Sequence, residues 1–179
     1  MFKSVEESRI QISELMLPSH ANFGGKIHGG YILGLMDQTA FACASKHSGS
    51  YCVTASVDKV NFLNPIEVGE LVTMKASVNY VGKSSMVVGI RVESENIRTG
   101  QKKHCNSSYF TMVAINEKGK TVKVPGLRLG SKIDAKRFIK TIIRRESEVK
   151  KEANQKEVYK NVDNHLKLLN DYRVEIAIK

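Results

Sequence analysis

The chain contains no tryptophan, only three prolines in 179 residues, and three cysteines. Cys43, Cys52 and Cys105 are odd in number and form no C-x-x-C pair. That speaks against a disulfide framework or a zinc site and for structural thiols of a reducing compartment. Nothing resembles a helix-turn-helix or an aromatic platform on which bases stack, so no nucleic-acid partner is expected. No run approaches the roughly 18 apolar residues of a membrane span. The start, Met1-Phe2-Lys3-Ser4-Val5-Glu6-Glu7, lacks the apolar core of a signal peptide. A cytoplasmic protein with no membrane span is the expectation. Internal repeats and low-complexity tracts are also lacking.

What is present is an ordinary globular balance, 41% apolar and 26% charged, long enough for one domain with a real core and an extension. The net charge of +10 is weighted toward the end: residues 127–179 carry 14 Lys/Arg against 8 Asp/Glu. Acids interleave with these bases, so the pattern fits a solvated basic helix as well as a rim attracting a polyanionic ligand.

One stretch organises the rest. A polar loop, His20-Ala21-Asn22-Phe23-Gly24-Gly25-Lys26-Ile27-His28-Gly29-Gly30, feeds a segment apolar on almost every face, from about Gly29 to Lys46. Such a helix belongs inside a core. Lys46 and His47 suit the negative end of its dipole and Gly49 its stop. Asp37 is its single carboxylate, about two turns in. The unpaired N–H groups at the helix start would stabilise a developing oxyanion.

Around this helix the period is two. Residues 5–17 contain the alternation Ile10-Gln11-Ile12, a short strand ending at Pro18, and Tyr51 to Phe62 alternates up to Asn64-Pro65. Glu70–Val81, a strand around Met86–Val92, and His104–Asn116 follow through the turns Gly82-Lys83 and Arg98-Thr99-Gly100-Gln101. Short turns predict an antiparallel meander and an α+β fold, one long helix wrapped by at least four consecutive strands. Beyond Pro125, Ser131 or Asp134 caps a charged helix whose thin stripe (Ile133, Phe138, Ile142, Ile143, Val149, then Leu166, Leu168, Leu169) would pack on the body or on another subunit. The expected division is a domain over 8–125 and a basic helical extension over 126–179.

The run Asn22-x-x-Gly25-x-x-His28-Gly29-Gly30-x-Ile32-x-x-x-Met36-Asp37 resembles the hot-dog acyl-CoA thioesterases of the brain-type acyl-CoA hydrolase and YciA group. So do Val53-Thr54-Ala55-Ser56-Val57-Asp58, Phe62-x-x-Pro65-Ile66-x-Val68-Gly69-Glu70, Gly82-Lys83-Ser84-Ser85-Met86 and Phe110-Thr111-Met112-Val113-Ala114. The resemblance is collinear from Ile10 to Pro125. It implies a hot-dog fold and hydrolysis of acyl-CoA to a free acid and coenzyme A, with no cofactor besides the coenzyme A of the substrate. It also implies a homo-oligomer, a dimer with shared active sites assembled as a trimer of dimers. Asn22 and Asp37 correspond to the catalytic pair, contributed by different subunits.

On that reading Asp37 is the general base for water and Asn22 orients the water or the carbonyl. The backbone of His28, Gly29, Gly30 and Tyr31 forms the oxyanion hole, the glycines letting substrate approach closely. Val57, Asp58, Lys59, Val60, Asn61 and Phe62, with Gly82, Lys83, Ser84 and Ser85, line the coenzyme A path, and Lys59 and Lys83 are candidate phosphate partners. Arg137, Arg144 and Arg145 could serve the same end from a second subunit. No metal site is expected. Two alternatives stay open: a hot-dog hydratase or dehydratase pairing His28 with Asp37, and a non-catalytic acyl-CoA-binding regulator.

Overall fold

The computed structural model describes the backbone of residues 1–160 and 162–174, and the side chains of these except at 152, 154, 157, 159 and 168–171. In chain order the elements are β1 (Phe2–Ser4), α1 (Val5–Ser8), β2 (Ile10–Leu15), α2 (Gly29–Ser48), β3 (Tyr51–Val57), β4 (Glu70–Val81), β5 (Ser85–Asn96), β6 (Lys102–Ile115), β7 (Gly126–Arg128) and α3 (Lys132–Lys160). Short 3-10 turns occupy Pro18–His20 and Val162–Asp171.

The sheet is antiparallel, in the order β2-β4-β5-β6-β3. Strands β4, β5 and β6 form the expected meander. Strand β3 departs from it: it pairs with β6 at the far edge rather than with its sequence neighbour β4. The strand expected over Tyr51–Phe62 ends at Val57. Asp58 N–H still reaches the Tyr109 carbonyl at 2.9 Å, but the Ser108 hydroxyl donates to the Asp58 carbonyl, and the ladder stops there. A bulge between Thr54 and Ser56 shifts the register inside β3. Strand β1 and the short α1 were not legible; β1 pairs in parallel with β7, where a Cβ on Gly126 would stand 2.5 Å from the Phe2 ring.

Helix α2 packs into the curl of the sheet, touching β2 through β6. Ile32, Leu35, Met36, Ala40, Cys43 and Ala44 meet Val72, Met74, Val78, Met86, Phe110 and Met112. Burying each large side chain contributes about 1.5–3 kcal/mol. Gly49 ends the helix in the left-handed conformation at φ 71°, as expected. The helix is not covered all round. Gly30, Gly34, Asp37 and Phe41, spaced along one side, are exposed, and beside them most of β3 is exposed at the sheet edge.

Two compact units divide the chain, Met1–Phe138 and Ile139–Lys179. The expected limit at 125 falls inside the first, because β7 pairs with β1 and Phe138 packs its ring on Tyr80 at 5.0 Å. Ser131 caps α3: its hydroxyl accepts from Asp134 N–H at 3.1 Å and donates to the Asp134 carboxylate at 2.8 Å. Of the expected stripe, Ile133, Ile142, Ile143 and Val149 are exposed. Leu168 and Leu169 lie outside the described side chains. Among the described residues no helix is long and apolar enough to cross a membrane.

His47 stands in the last turn of α2, as expected, and is fully buried there, its Nε2 3.1 Å from the Pro125 carbonyl and its Nδ1 without a partner among the described residues. Burial holds its pKa below the usual 6.5, although the Pro125 contact works the other way. The unfolded chain therefore takes up a proton that the fold refuses. Stability is full above about pH 6.5 and falls as pH drops below it. Melting temperatures between pH 7.5 and 5 should fall more steeply for wild type than for His47→Gln, by roughly 2–4 °C per kcal/mol of penalty. Parallel curves would refute this.

Candidate active site

The glycine-rich loop is built as a small hairpin. Asn22 N–H donates to the Lys26 carbonyl at 2.7 Å, and Gly25 N–H returns to the Asn22 carbonyl at 3.0 Å. The Asn22 side-chain Oδ1 accepts from Gly24 N–H at 2.9 Å and from Lys26 N–H at 3.2 Å. Outside the hairpin, Ile27 N–H donates to the Ile66 carbonyl, and Lys26 pairs with Glu67 at 2.6 Å. The acceptor end of the Asn22 amide is therefore spent on the turn. Its Nδ2 makes no hydrogen bond among the described residues, and the side chain is exposed. Asn22 is available as a donor.

The helix start is narrower as an anion site than expected. His28 N–H donates to the His20 carbonyl, Gly30 N–H to His28 Nδ1 at 3.0 Å, and Tyr31 N–H to the His28 carbonyl at 3.0 Å. Of the four expected donors, only Gly29 N–H has no partner among the described residues. The Phe62 ring lies over it, and a Cβ on Gly29 would meet that ring at 3.2 Å. His28 serves as the N-cap of α2 through its side chain, in place of the usual Ser or Asp. It precedes Asp37 by nine residues of the same helix, a long way from an acid–base pair.

Asp37 is exposed, and its Oδ1 accepts from the Thr54 hydroxyl at 2.5 Å. The other carboxylate oxygen takes no hydrogen bond among the described residues. Thr54 comes from β3, just before the bulge, and its hydroxyl also lies 3.5 Å from Met112 Sδ. Sequence reading left Thr54 unassigned; a hydroxyl within a small-residue strand had no visible partner seventeen residues from Asp37. Gly29 and Asp37 are eight residues apart on one helix, about 12 Å along its axis. A single carbonyl cannot touch both.

The residues expected to line the coenzyme fall into two places. Asp58 to Asn64 run beside β6, held by Asp58 N–H, by Leu63 N–H on the Cys105 carbonyl, and by the Asn64 amide on the His104 carbonyl. Lys59, Asn61 and Phe62 are exposed there, while Asp58 and Val60 are half-buried. Gly82 to Ser85 form the β4–β5 turn, tied by Gly82 N–H to the Ser85 carbonyl at 2.7 Å. Ser85 shares a rung with Val113 and Val53, whereas Val57 shares one with Phe110 and Val88. The turn is thus two strands from β3, about 10 Å across, and Lys83 is not beside Lys59.

Other candidates lose ground. Cys43 is fully buried and its thiol is pushed up to about 12 by that burial, so it offers no thiolate. No group of three His, Cys, Asp or Glu stands together as a metal would need, among the described residues. A cavity of about 670 Å³ lies on the outer face of the sheet against Lys75, Asn79, Arg91 and Tyr109. Asn22, Asp37 and Thr54 do not line it.

The sequence model of the thioesterase superfamily matches residues 24–101. Protein VdlD of Helicobacter pylori is 41% identical over 143 residues, spanning 80% of this chain and 82% of that protein. A solved apo-hexameric acyl-CoA thioesterase is 35% identical with a TM-score of 0.82, covering 85% of this chain and 97% of that one. An acyl-CoA hydrolase from Staphylococcus aureus, solved with butyryl coenzyme A, coenzyme A and coenzyme A disulfide, is 28% identical with a TM-score of 0.80 over 91% of this chain and 99% of that one. Structures of that hydrolase also exist with alanine in place of an aspartate, an asparagine and a threonine.

Proposed function

The chain belongs to the thioesterase superfamily, and from that premise we propose that it hydrolyses acyl-CoA to a free acid and coenzyme A at sites shared between two protomers. The observation that carries the shared site is the rise of about 12 Å along one helix between the Gly29 N–H, without a partner among the described residues, and Asp37, which Thr54 holds from β3. A two-fold axis beside Gly34 would lay a second α2 antiparallel on the exposed stripe. Asp37 of one helix would then face the start of the other. Glycines at 30 and 34 leave room for that approach, and exposed β3 would meet its own copy at the sheet edge.

In each site one chain holds the carbonyl and its partner supplies the base. Asn22 Nδ2 and Gly29 N–H donate to the thioester oxygen. Asp37, steadied by Thr54, takes a proton from water as the C–O bond forms. The oxyanion collapses, the C–S bond breaks, and the departing sulfur takes that proton from Asp37, leaving coenzyme A as its thiol and the free acid. Coenzyme A itself spans both chains on this reading, with Val57–Phe62 and Gly82–Ser85 contributed from different protomers. The alanine positions of the staphylococcal hydrolase support the role of these three side chains, for they are spaced as Asn22, Asp37 and Thr54 are. The hexameric neighbour supports a homo-oligomer, here taken as a trimer of dimers.

Purified protein incubated with acyl-CoA from two to sixteen carbons should release free thiol, measured by a disulfide-exchange dye. Hydration of an enoyl-CoA without thiol release, or binding of every acyl-CoA without turnover, would overturn the assignment.

A further inference from the structure

Both arms of the glycine-rich loop are joined behind the site by one cluster of side chains. The imidazole of His20 stacks on the ring of Tyr31, centroids 3.9 Å apart and planes 20° from parallel. The Tyr31 hydroxyl donates to the carboxylate of Glu14 on β2. His20 is fixed in turn, its Nδ1 accepting from Leu17 N–H at 3.3 Å and its carbonyl from His28 N–H at 2.9 Å. His20 stands two residues before Asn22, and Tyr31 two residues after Gly29. The donors assigned to the thioester oxygen therefore hang from opposite arms of a loop, and the stack adds a side-chain contact to the backbone bonds that join those arms.

We propose that Tyr31 is a positioning residue, its ring and hydroxyl setting the distance between Asn22 Nδ2 and Gly29 N–H by tying the loop to His20 and Glu14. The proposal rests on the assignment of those two donors to the carbonyl oxygen. An oxyanion hole needs both donors within about 2.7–3.1 Å of one oxygen. A displacement of ~1 Å costs up to 10²-fold in rate. Substrate binding, spread over the coenzyme path, depends little on that spacing.

Tyr31→Phe keeps the ring and removes only the bond to Glu14. It should lower kcat about tenfold, leaving KM for acyl-CoA and Kd for coenzyme A within about twofold. Glu14→Ala should do the same, and the double variant should lose no more than either single one. Glu14→Gln, which keeps an acceptor oxygen, should restore kcat. Thermal melting checks that each variant is folded. The clamp is refuted if Tyr31→Phe turns over within twofold of wild type while Asn22→Ala is impaired, if the two losses add, or if the change falls on KM. Wild-type turnover in Asn22→Ala would instead remove the donor assignment beneath it.

Discussion

Replacing Asp37 with alanine is expected to lower kcat for acyl-CoA hydrolysis by roughly 10²–10⁴-fold, the range contributed by a positioned general base. Within one chain the carboxylate is exposed, so its loss leaves no buried charge or cavity in the fold of that chain, whose thermal stability should change little. Thr54 keeps its Met112 neighbour at 3.5 Å and gains water. Asp37→Asn separates shape from basicity: it can still accept from Thr54 but cannot take a proton from water, and should be nearly as inactive. Thr54→Val leaves the base in place without its tether, and a loss on the order of tenfold, about 1.4 kcal/mol of barrier, is expected. Initial rates of thiol release at saturating acyl-CoA report all three. Wild-type turnover in Asp37→Ala would end the assignment of this residue as base.

The second large effect concerns Asn22. Removing an oxyanion donor costs about 10²–10³-fold in kcat. Alanine is an imperfect probe here, because Oδ1 also accepts from Gly24 and Lys26 N–H and so shapes the hairpin. Asn22→Asp retains those two acceptances but replaces the donor with a charge that repels the oxyanion, so it should lose at least as much as alanine; activity recovered in Asn22→Asp would assign the alanine loss to the hairpin instead. Mixing then tests the division between chains. Asn22→Ala and Asp37→Ala, each nearly inactive, are unfolded together and refolded as one pool. Random pairing makes half the dimers mixed, each with one intact site, so roughly a quarter of wild-type activity returns. No recovery, with subunit exchange demonstrated by tagged chains, would mean that each chain builds its own site.

The parts of the fold legible in the sequence were those set by local pattern. Helix α2 announced itself through a glycine loop, an apolar run and Gly49, and the long strands β4, β5 and β6 through period-two alternation and tight turns. The partner of β3 was not legible, since strand pairing is fixed by how the sheet curls around α2 and no residue of Tyr51–Val57 encodes it. Asn22 and Asp37 were singled out through their family motif, yet their chemistry changed with the hydrogen-bond inventory. Only atomic positions reveal that the His28, Gly30 and Tyr31 amides are engaged, that the oxygen of Asn22 is spent, and that Thr54 arrives from another strand. The burial of His47 was illegible for a similar reason: a basic residue in the last turn suits the helix dipole, and its contact with the distant Pro125 carbonyl shows only in the folded chain.

If the uncovered stripe of α2 is where two chains meet, activity would depend on dose. On the shared-site reading, a newly released chain carries every catalytic side chain and not one finished site. At abundances well below the dimer dissociation constant, turnover would grow with the square of the amount of chain; above it, in simple proportion. Doubling a scarce enzyme of this kind would quadruple its output, and a mutation at Gly34, which brings no catalytic group of its own, would be felt first as a shift in the abundance at which activity begins.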